Sequence, residues 1–79
     1  MRIKVRGVKN IYISGEYIKL DALLKFASIA STGGEAKHLI QSGSVLVDGD
    51  VCDQRGKKVK PGNIVRCGGD TLLIKQAGI

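Results

Sequence analysis

The stretch that decides the fold of this chain is TGGEAKHLIQSGSVLVDG, which occupies residues 32–49. Thr32 and Glu35 have the spacing of a capping box, in which two side chains satisfy free backbone N–H groups at the start of a helix. Gly43 can supply the left-handed conformation that ends such a helix. Asp48-Gly49 then favours a hairpin, because both residue types tolerate the positive φ of a type I′ turn. The stretch predicts a helix, a short strand and a tight turn.

Another helix is predicted just before this stretch. Apolar residues from Leu20 to Ala27 recur at the i, i+3, i+4 and i+7 spacing of one helix face, which indicates a helix over roughly residues 19–28. The same spacing recurs from Ala36 to Gly43 in the capped helix. The two apolar faces are therefore expected to pack on each other across a short link at residues 28–31.

Short apolar segments predict strands on both sides of the helix pair. They occupy residues 2–6, 11–14, 45–47, 50–53, 64–67 and 71–74. Turns are expected at Gly15, at Pro61-Gly62 and around Gly68-Gly69-Asp70. This order of elements predicts one α+β domain over residues 1–79, with two packed short helices, a β-hairpin and flanking strands that complete a small mixed or antiparallel sheet.

The composition favours an anionic partner. Thirteen Lys and Arg against seven Asp and Glu give 79 residues a formal net charge of +6, which suits nucleic acid.

No apolar run approaches the about 20 residues of a membrane span, and residues 1–6 lack the apolar core of a signal peptide. Cys52 and Cys67 lack C-x-x-C spacing, so they are expected to be small strand residues in a cytoplasmic protein, with no metal site and with a disulfide as the lesser alternative.

Catalysis and cofactor binding have little support. His38 is the only histidine, and no nucleophile and base can be assigned to each other. Glu35 and Asp21 are better explained as residues of helix starts, where a negative charge is favourable. Gly33-Gly34 could cradle a phosphate or simply ease a tight turn between helices, but no dinucleotide or P-loop motif accompanies them. The chain is therefore expected to be no enzyme and to need no cofactor or small-molecule substrate.

Basic residues form the main functional signal. Four of them lie between residues 55 and 60 without an intervening acid, directly after the predicted hairpin. Such a run is usually just a solvated surface, but a preceding hairpin can orient its side chains toward one side of the domain. Further cations flank the first helix and lie on the second, opposite its apolar face. The candidate RNA-binding residues are Lys19, Lys25, Lys37, His38, Arg55, Lys57, Lys58 and Lys60.

Aromatic residues are scarce, with Tyr12, Tyr17 and Phe26 and no Trp. Proteins that bind single strands usually stack bases on aromatic side chains, so this scarcity favours structured RNA read through its backbone and shape. The three aromatic side chains are expected in the core or at its rim.

Four segments, taken in order, match a known pattern of basic-Leu-Asp, Ser/Thr-Arg-x-x-Ala-Arg, Gly-x-Val-x-Val-Asn-Gly and Val-x-x-Gly-Asp. They are KLD at 19–21, TGGEAK at 32–37, GSVLVDG at 43–49 and VKPGN at 59–63. Residues 19–63 thus resemble the S-four RNA-binding domain, the alpha-L motif of the fourth protein of the small ribosomal subunit. In length the chain is similar to the short standalone bacterial members of the YaaA/YbcJ-like group.

The resemblance implies binding of structured RNA, ribosomal or transfer RNA, with the ribosome as a partner. The chain itself is expected to be a monomer. Lys19, Lys37 and His38 would face the RNA, together with the loop at residues 55–58. Gly33 stands where many members have Arg, Lys37 replaces a frequent Arg, and Asp48 replaces the usual Asn.

The leading hypothesis is a noncatalytic RNA-binding domain. One alternative is a DNA-binding module, because two short helices can mimic a helix-turn-helix, although Lys37, His38 and Gln41 are its few base-reading candidates. Another is a protein-interaction or assembly domain that uses a sheet edge or the apolar strands.

Overall fold

The computed structural model describes residues 7–78, and the strand expected at residues 2–6 lies outside them. The predicted α+β class is confirmed. The elements in chain order are β1 (Val8–Ile13), β2 (Ile18–Lys19), α1 (Leu20–Phe26), α2 (Gly33–Gln41), β3 (Val45–Val47), β4 (Asp50–Val51), β5 (Lys58–Val59), β6 (Ile64–Cys67) and β7 (Asp70–Gln76).

Five of these strands form one mixed sheet in the order β1-β7-β6-β3-β4. Strand β1 runs parallel to β7, whereas the other neighbours in this sheet are antiparallel. The remaining strands, β2 and β5, pair as a short antiparallel ribbon. Of the two sheet types that the sequence allowed, the structure has the mixed one.

One face of the sheet carries the core. Alternate residues of its strands are buried, as with Leu72 and Ile74 on β7. Leu23 and Leu24 of α1 and Ile40 of α2 complete the same apolar cluster. The two helices contact each other, which confirms the expected packing of their apolar faces.

The predicted capping of α2 is confirmed with one difference. Thr32 Oγ1 accepts a hydrogen bond from the Glu35 N–H (3.1 Å), as expected. Glu35 Oε1 accepts from the N–H of Ser31 (2.5 Å), one residue earlier than in a reciprocal capping box. Gly43 has φ +82° beyond the helix end, where a left-handed residue closes the last turn.

Helix α1 ends at a left-handed residue that cannot be predicted from the sequence. It stops at Phe26, and Ser28 takes the left-handed conformation (φ 63°) that glycine usually supplies. The Ser28 N–H donates to the Lys25 carbonyl (3.0 Å) and the Ile29 N–H donates to Leu24 (2.9 Å). These bonds turn the chain sharply, which lets α2 fold back against α1.

The predicted hairpins are confirmed, with shifted boundaries. Asp48 (φ 53°) and Gly49 (φ 90°) form the β3–β4 turn, but β4 is shorter than the expected strand at residues 50–53. Cys52 therefore follows β4 and does not lie in a strand. The second hairpin turns at Gly68-Gly69, so that Asp70 already pairs with Cys67. No helix in the described part of the chain is both long and apolar enough to cross a membrane.

Candidate nucleic-acid interface

The loop between β4 and β5 is fixed to the start of α1 by its backbone. The Leu20 N–H donates to the carbonyl oxygen of Lys57 (2.9 Å), and the Asp21 N–H donates to that of Arg55 (3.1 Å). Lys19 occupies the N-cap position but makes no side-chain capping bond. The loop carbonyls therefore satisfy N–H groups that a helix start leaves free, a task that a side chain of the cap residue usually performs.

Strand pairing places two of the predicted cations opposite each other. Lys19 on β2 pairs with Lys58 on β5, and directly opposite residues have Cβ atoms about 4.5–5.5 Å apart. Val59 is fully buried, so Lys58 and Lys60 on either side of it both point away from the core. Lys19, Arg55, Lys57 and Lys58 are all exposed around the start of α1 and are called the basic cluster below.

The arrangement of the basic cluster is unfavourable for the fold alone. Like charges directly opposite on paired strands are destabilising, and a cation near a helix N-terminus opposes the helix dipole. Lys19 has both disadvantages, because it lies opposite Lys58 and occupies the N-cap position of α1. An anion bound between the two side chains would relieve the repulsion.

Carboxylates limit this surface on one side. A shallow depression beside the cluster is lined by Asp48, Asp50 and Asp53 together with Lys57. Lys57 shares this depression with the three carboxylates, whereas Lys19 and Lys58 do not line it, so the Lys19–Lys58 side is the more attractive one for an anion. Within residues 7–78, no group of three His, Cys, Asp or Glu side chains could hold a metal ion.

Three predicted site residues lie on the helices and do not belong to the basic cluster. Lys25, Lys37 and His38 are exposed, and no hydrogen bond or strand pairing in the described residues joins them to the basic cluster. Lys25 and His38 occupy the last turns of their helices, where a basic group suits the dipole. Their part in binding stays a prediction.

Gly33 is not required by the backbone or by packing. Neither Gly33 nor Gly34 has a positive φ, and a Cβ added to Gly33 would meet nothing within 4 Å. The expectation that these glycines ease a tight turn therefore has no support in the geometry. A longer side chain at Gly33 would have open space at the start of α2.

The aromatic side chains were expected in the core or at its rim, and their exposure excludes the core. Tyr12, Tyr17 and Phe26 are 56%, 41% and 62% exposed, and all three line one surface pocket. Lys58 Nζ lies 5.0 Å from the centre of the Tyr17 ring, a cation–π distance, so this pocket adjoins the basic cluster. The sequence carried no signal of the pocket, because the rings come from β1, the segment before β2, and α1.

Asp48 joins the β3–β4 hairpin to the turn before β6. Its Oδ2 accepts a hydrogen bond from Asn63 Nδ2 (2.7 Å), and its Oδ1 accepts from the Ile64 N–H (2.8 Å). Asn63 Oδ1 also accepts from the Lys60 N–H (2.7 Å). The S-four pattern has Asn and Asp at these two positions, whereas this chain has Asp48 and Asn63. The amide and the carboxylate have changed places relative to the family pattern, so an amide N–H still faces a carboxylate oxygen.

The two cysteines are free thiols in different surroundings. Cys67 is buried on β6, and its burial, followed by the nearby charge of Asp70, raises the pKa of its thiol. Cys67 therefore carries less thiolate at neutral pH than an ordinary cysteine, which makes it a poor nucleophile.

Comparison with known proteins identifies the family. Residues 11–75 match the family model of the S4 domain, which is the S-four domain. The chain is 36% identical over 59 residues to the probable ribosome maturation protein RlbA of Bacillus subtilis, covering 75% of this chain and 83% of that protein. The chain belongs to the S4-domain family.

A second relative of this S4 domain is a much longer protein. Small ribosomal subunit protein uS4 of Bifidobacterium animalis subsp. lactis is 38% identical over 57 residues, which cover 72% of this chain but only 28% of uS4. The resemblance stated from the sequence is thus confirmed, and it supports RNA binding at the level of the family.

Proposed function

We propose that this S4 domain is a noncatalytic, cytoplasmic protein that binds structured RNA, ribosomal or transfer RNA, through the basic cluster and Lys60. The observation that carries the proposal is the pairing of Lys19 with Lys58 at the start of α1. A pair of cations that opposes folding is well suited to hold a phosphate. Lys25, Lys37 and His38 extend this surface along the helices in the same proposal.

The relatives support the ribosome as the setting. One is named as a ribosomal protein and the other as a probable ribosome maturation protein. Ribosomal RNA in folded form presents closely spaced phosphates and 2′-hydroxyl groups, which cations on a rigid surface can contact without reading bases. This domain would act as a monomer in that setting.

The dependence of RNA affinity on salt tests the proposal. If about five phosphates are neutralised, the logarithm of the association constant should fall with the logarithm of salt concentration at a slope of roughly −4. Binding to an RNA hairpin is measured by fluorescence anisotropy at several KCl concentrations. Duplex DNA of equal charge serves as competitor, and binding that is flat in salt, or DNA that competes as well as the RNA does, would contradict the proposal.

Restoring the arginine of the family pattern should strengthen binding. Gly33→Arg adds a cation where the structure has open space, so we expect about one more phosphate contact and a salt slope steeper by roughly 0.9. Affinity should rise about fivefold to tenfold near 0.1 M salt. Gly33→Gln is the control, because it adds a long side chain without charge and should leave the slope unchanged. An equal gain with both variants would show that the charge is not responsible.

One observation favours a second function, assembly with another protein. The sheet face away from the helices exposes Val8 (64%), Val51 (61%) and Ile64 (43%). Isolated exposed apolar residues are common, but the strand register places these three on the same face of one sheet, two of them on its edge strands β1 and β4. A protein partner that stays bound at high salt and after nuclease treatment, and is lost in Val51→Lys, would support assembly through this face.

A further inference from the structure

The chain contains three aromatic side chains, and the fold brings all of them to one place. Tyr12 lies near the end of β1, Tyr17 just before β2 and Phe26 at the end of α1. Together with Ile13 and Ile18 they line a pocket of about 260 Å³ that is open to solvent. Pockets for drug-sized ligands start at about 300 Å³, so this one suits a single planar ring system better than a larger ligand.

A cation connects this pocket to the proposed RNA surface. Lys58 lies over the Tyr17 ring, with its Nζ 5.0 Å from the ring centre, and its backbone pairs with Lys19. A phosphate held between Lys19 and Lys58 would therefore lie beside the aromatic pocket. A nucleotide carries a phosphate and a flat base joined by one sugar, so the two neighbouring features match its two ends.

We propose that Tyr12, Tyr17 and Phe26 form a stacking site for one unpaired base of the RNA, next to a phosphate held by Lys19 and Lys58. The inference rests on the proposed RNA-binding function and gives it a second component. The domain would bind paired RNA through its phosphates and, beside it, one unstacked base through aromatic contact.

The surroundings favour a base over an apolar protein side chain. Leucine or phenylalanine from a partner would gain nothing from Lys58, whereas a nucleotide supplies a negative group for it. Glu16 is the one carboxylate within the segment from Tyr12 to Tyr17, and the cations Lys19 and Lys58 face the same region. Because stacking tolerates every base, the site would add affinity and would not select a particular sequence.

Three RNAs of matched charge test the inference. The first is a blunt hairpin whose stem is lengthened by paired nucleotides. The second is the hairpin without that extension but with an unpaired 3′ overhang of the same number of nucleotides. The third is identical to the second except that the sugars of the overhang are abasic. The unpaired overhang should bind the wild-type domain about tenfold more tightly than its abasic copy, since only the base differs. Phe26→Ala should remove this difference and leave binding of the blunt hairpin unchanged. Val51→Ala is the matched control, because Val51 is as exposed (61%) but lies on β4.

Tyrosine fluorescence gives a second readout. The chain has no Trp and two Tyr, both in the pocket, so its intrinsic emission reports this surface alone. The unpaired overhang should quench that emission more than its abasic copy does. Equal affinity and equal quenching for the two overhangs would overturn the stacking site while RNA binding stands. Failure of the blunt hairpin to bind would instead overturn the proposed function.

Discussion

Replacing Lys19 and Lys58 together by Ala is expected to weaken RNA binding about fiftyfold near 0.1 M salt. The reason is the loss of two phosphate contacts, which should also reduce the salt slope by roughly 1.8. Extending the change to Arg55 and Lys57 should bring the loss to roughly a thousandfold. The helix start should survive, because the bonds that close it come from the carbonyls of Arg55 and Lys57 and not from their side chains. Anisotropy titrations at several salt concentrations measure both effects.

A matched single variant shows whether position or only charge matters. Arg66→Ala removes the same charge as Lys58→Ala from an exposed position on β6, and it should weaken binding at most about twofold, against about eightfold for Lys58→Ala. Lys19→Ala alone gives a further check, since it should raise the free energy of unfolding by roughly 0.5 kcal/mol while lowering RNA affinity. Equal losses from Arg66→Ala and Lys58→Ala would mean that the domain attracts RNA through its net charge and has no defined site.

The effects of Asp48→Asn and Asn63→Asp on the free energy of unfolding are expected to be strongly non-additive. Asn63→Asp alone places two carboxylates against each other and should cost about 2 kcal/mol of unfolding free energy. Asp48→Asn alone leaves two amides that cannot keep all three hydrogen bonds, at a cost of about 1 kcal/mol. The double exchange recreates the arrangement of the family pattern and should return to within about 0.5 kcal/mol of the wild type.

Urea unfolding of the four proteins gives the coupling free energy directly. Asp50→Asn is the control, because it removes a carboxylate from the same hairpin without touching the bonds of Asp48, and it should change stability little. Additive costs in the double exchange, with no recovery, would show that the contact between Asp48 and Asn63 contributes nothing to the hairpin.

Features encoded by neighbouring residues were predicted well from the sequence. The cap at Thr32, the left-handed Gly43 and the turn at Asp48-Gly49 each depend on a few consecutive residues, and each is confirmed. The order of the motif segments was enough for the family and for the α+β class. The basic loop was also found, because its charges are adjacent along the chain.

Features that depend on distant residues could not be predicted in this way. The parallel pairing of β1 with β7 joins residues more than sixty positions apart, such as Val8 and Thr71. The aromatic pocket and the pairing of Lys19 with Lys58 need the tertiary fold before their members become neighbours. Ser28 was missed for a different reason, since the surrounding contacts hold a serine in a conformation that local preference assigns to glycine.

The attachment of the loop to α1 also has a consequence for the speed of binding. Because the carbonyls of Arg55 and Lys57 already hold Leu20 and Asp21, the cationic surface exists before RNA arrives. An encounter then needs no folding step, and the long-range attraction of a net charge of +6 can accelerate it. Added salt would consequently slow the formation of the complex, whereas the lifetime of the complex would depend more on its close contacts.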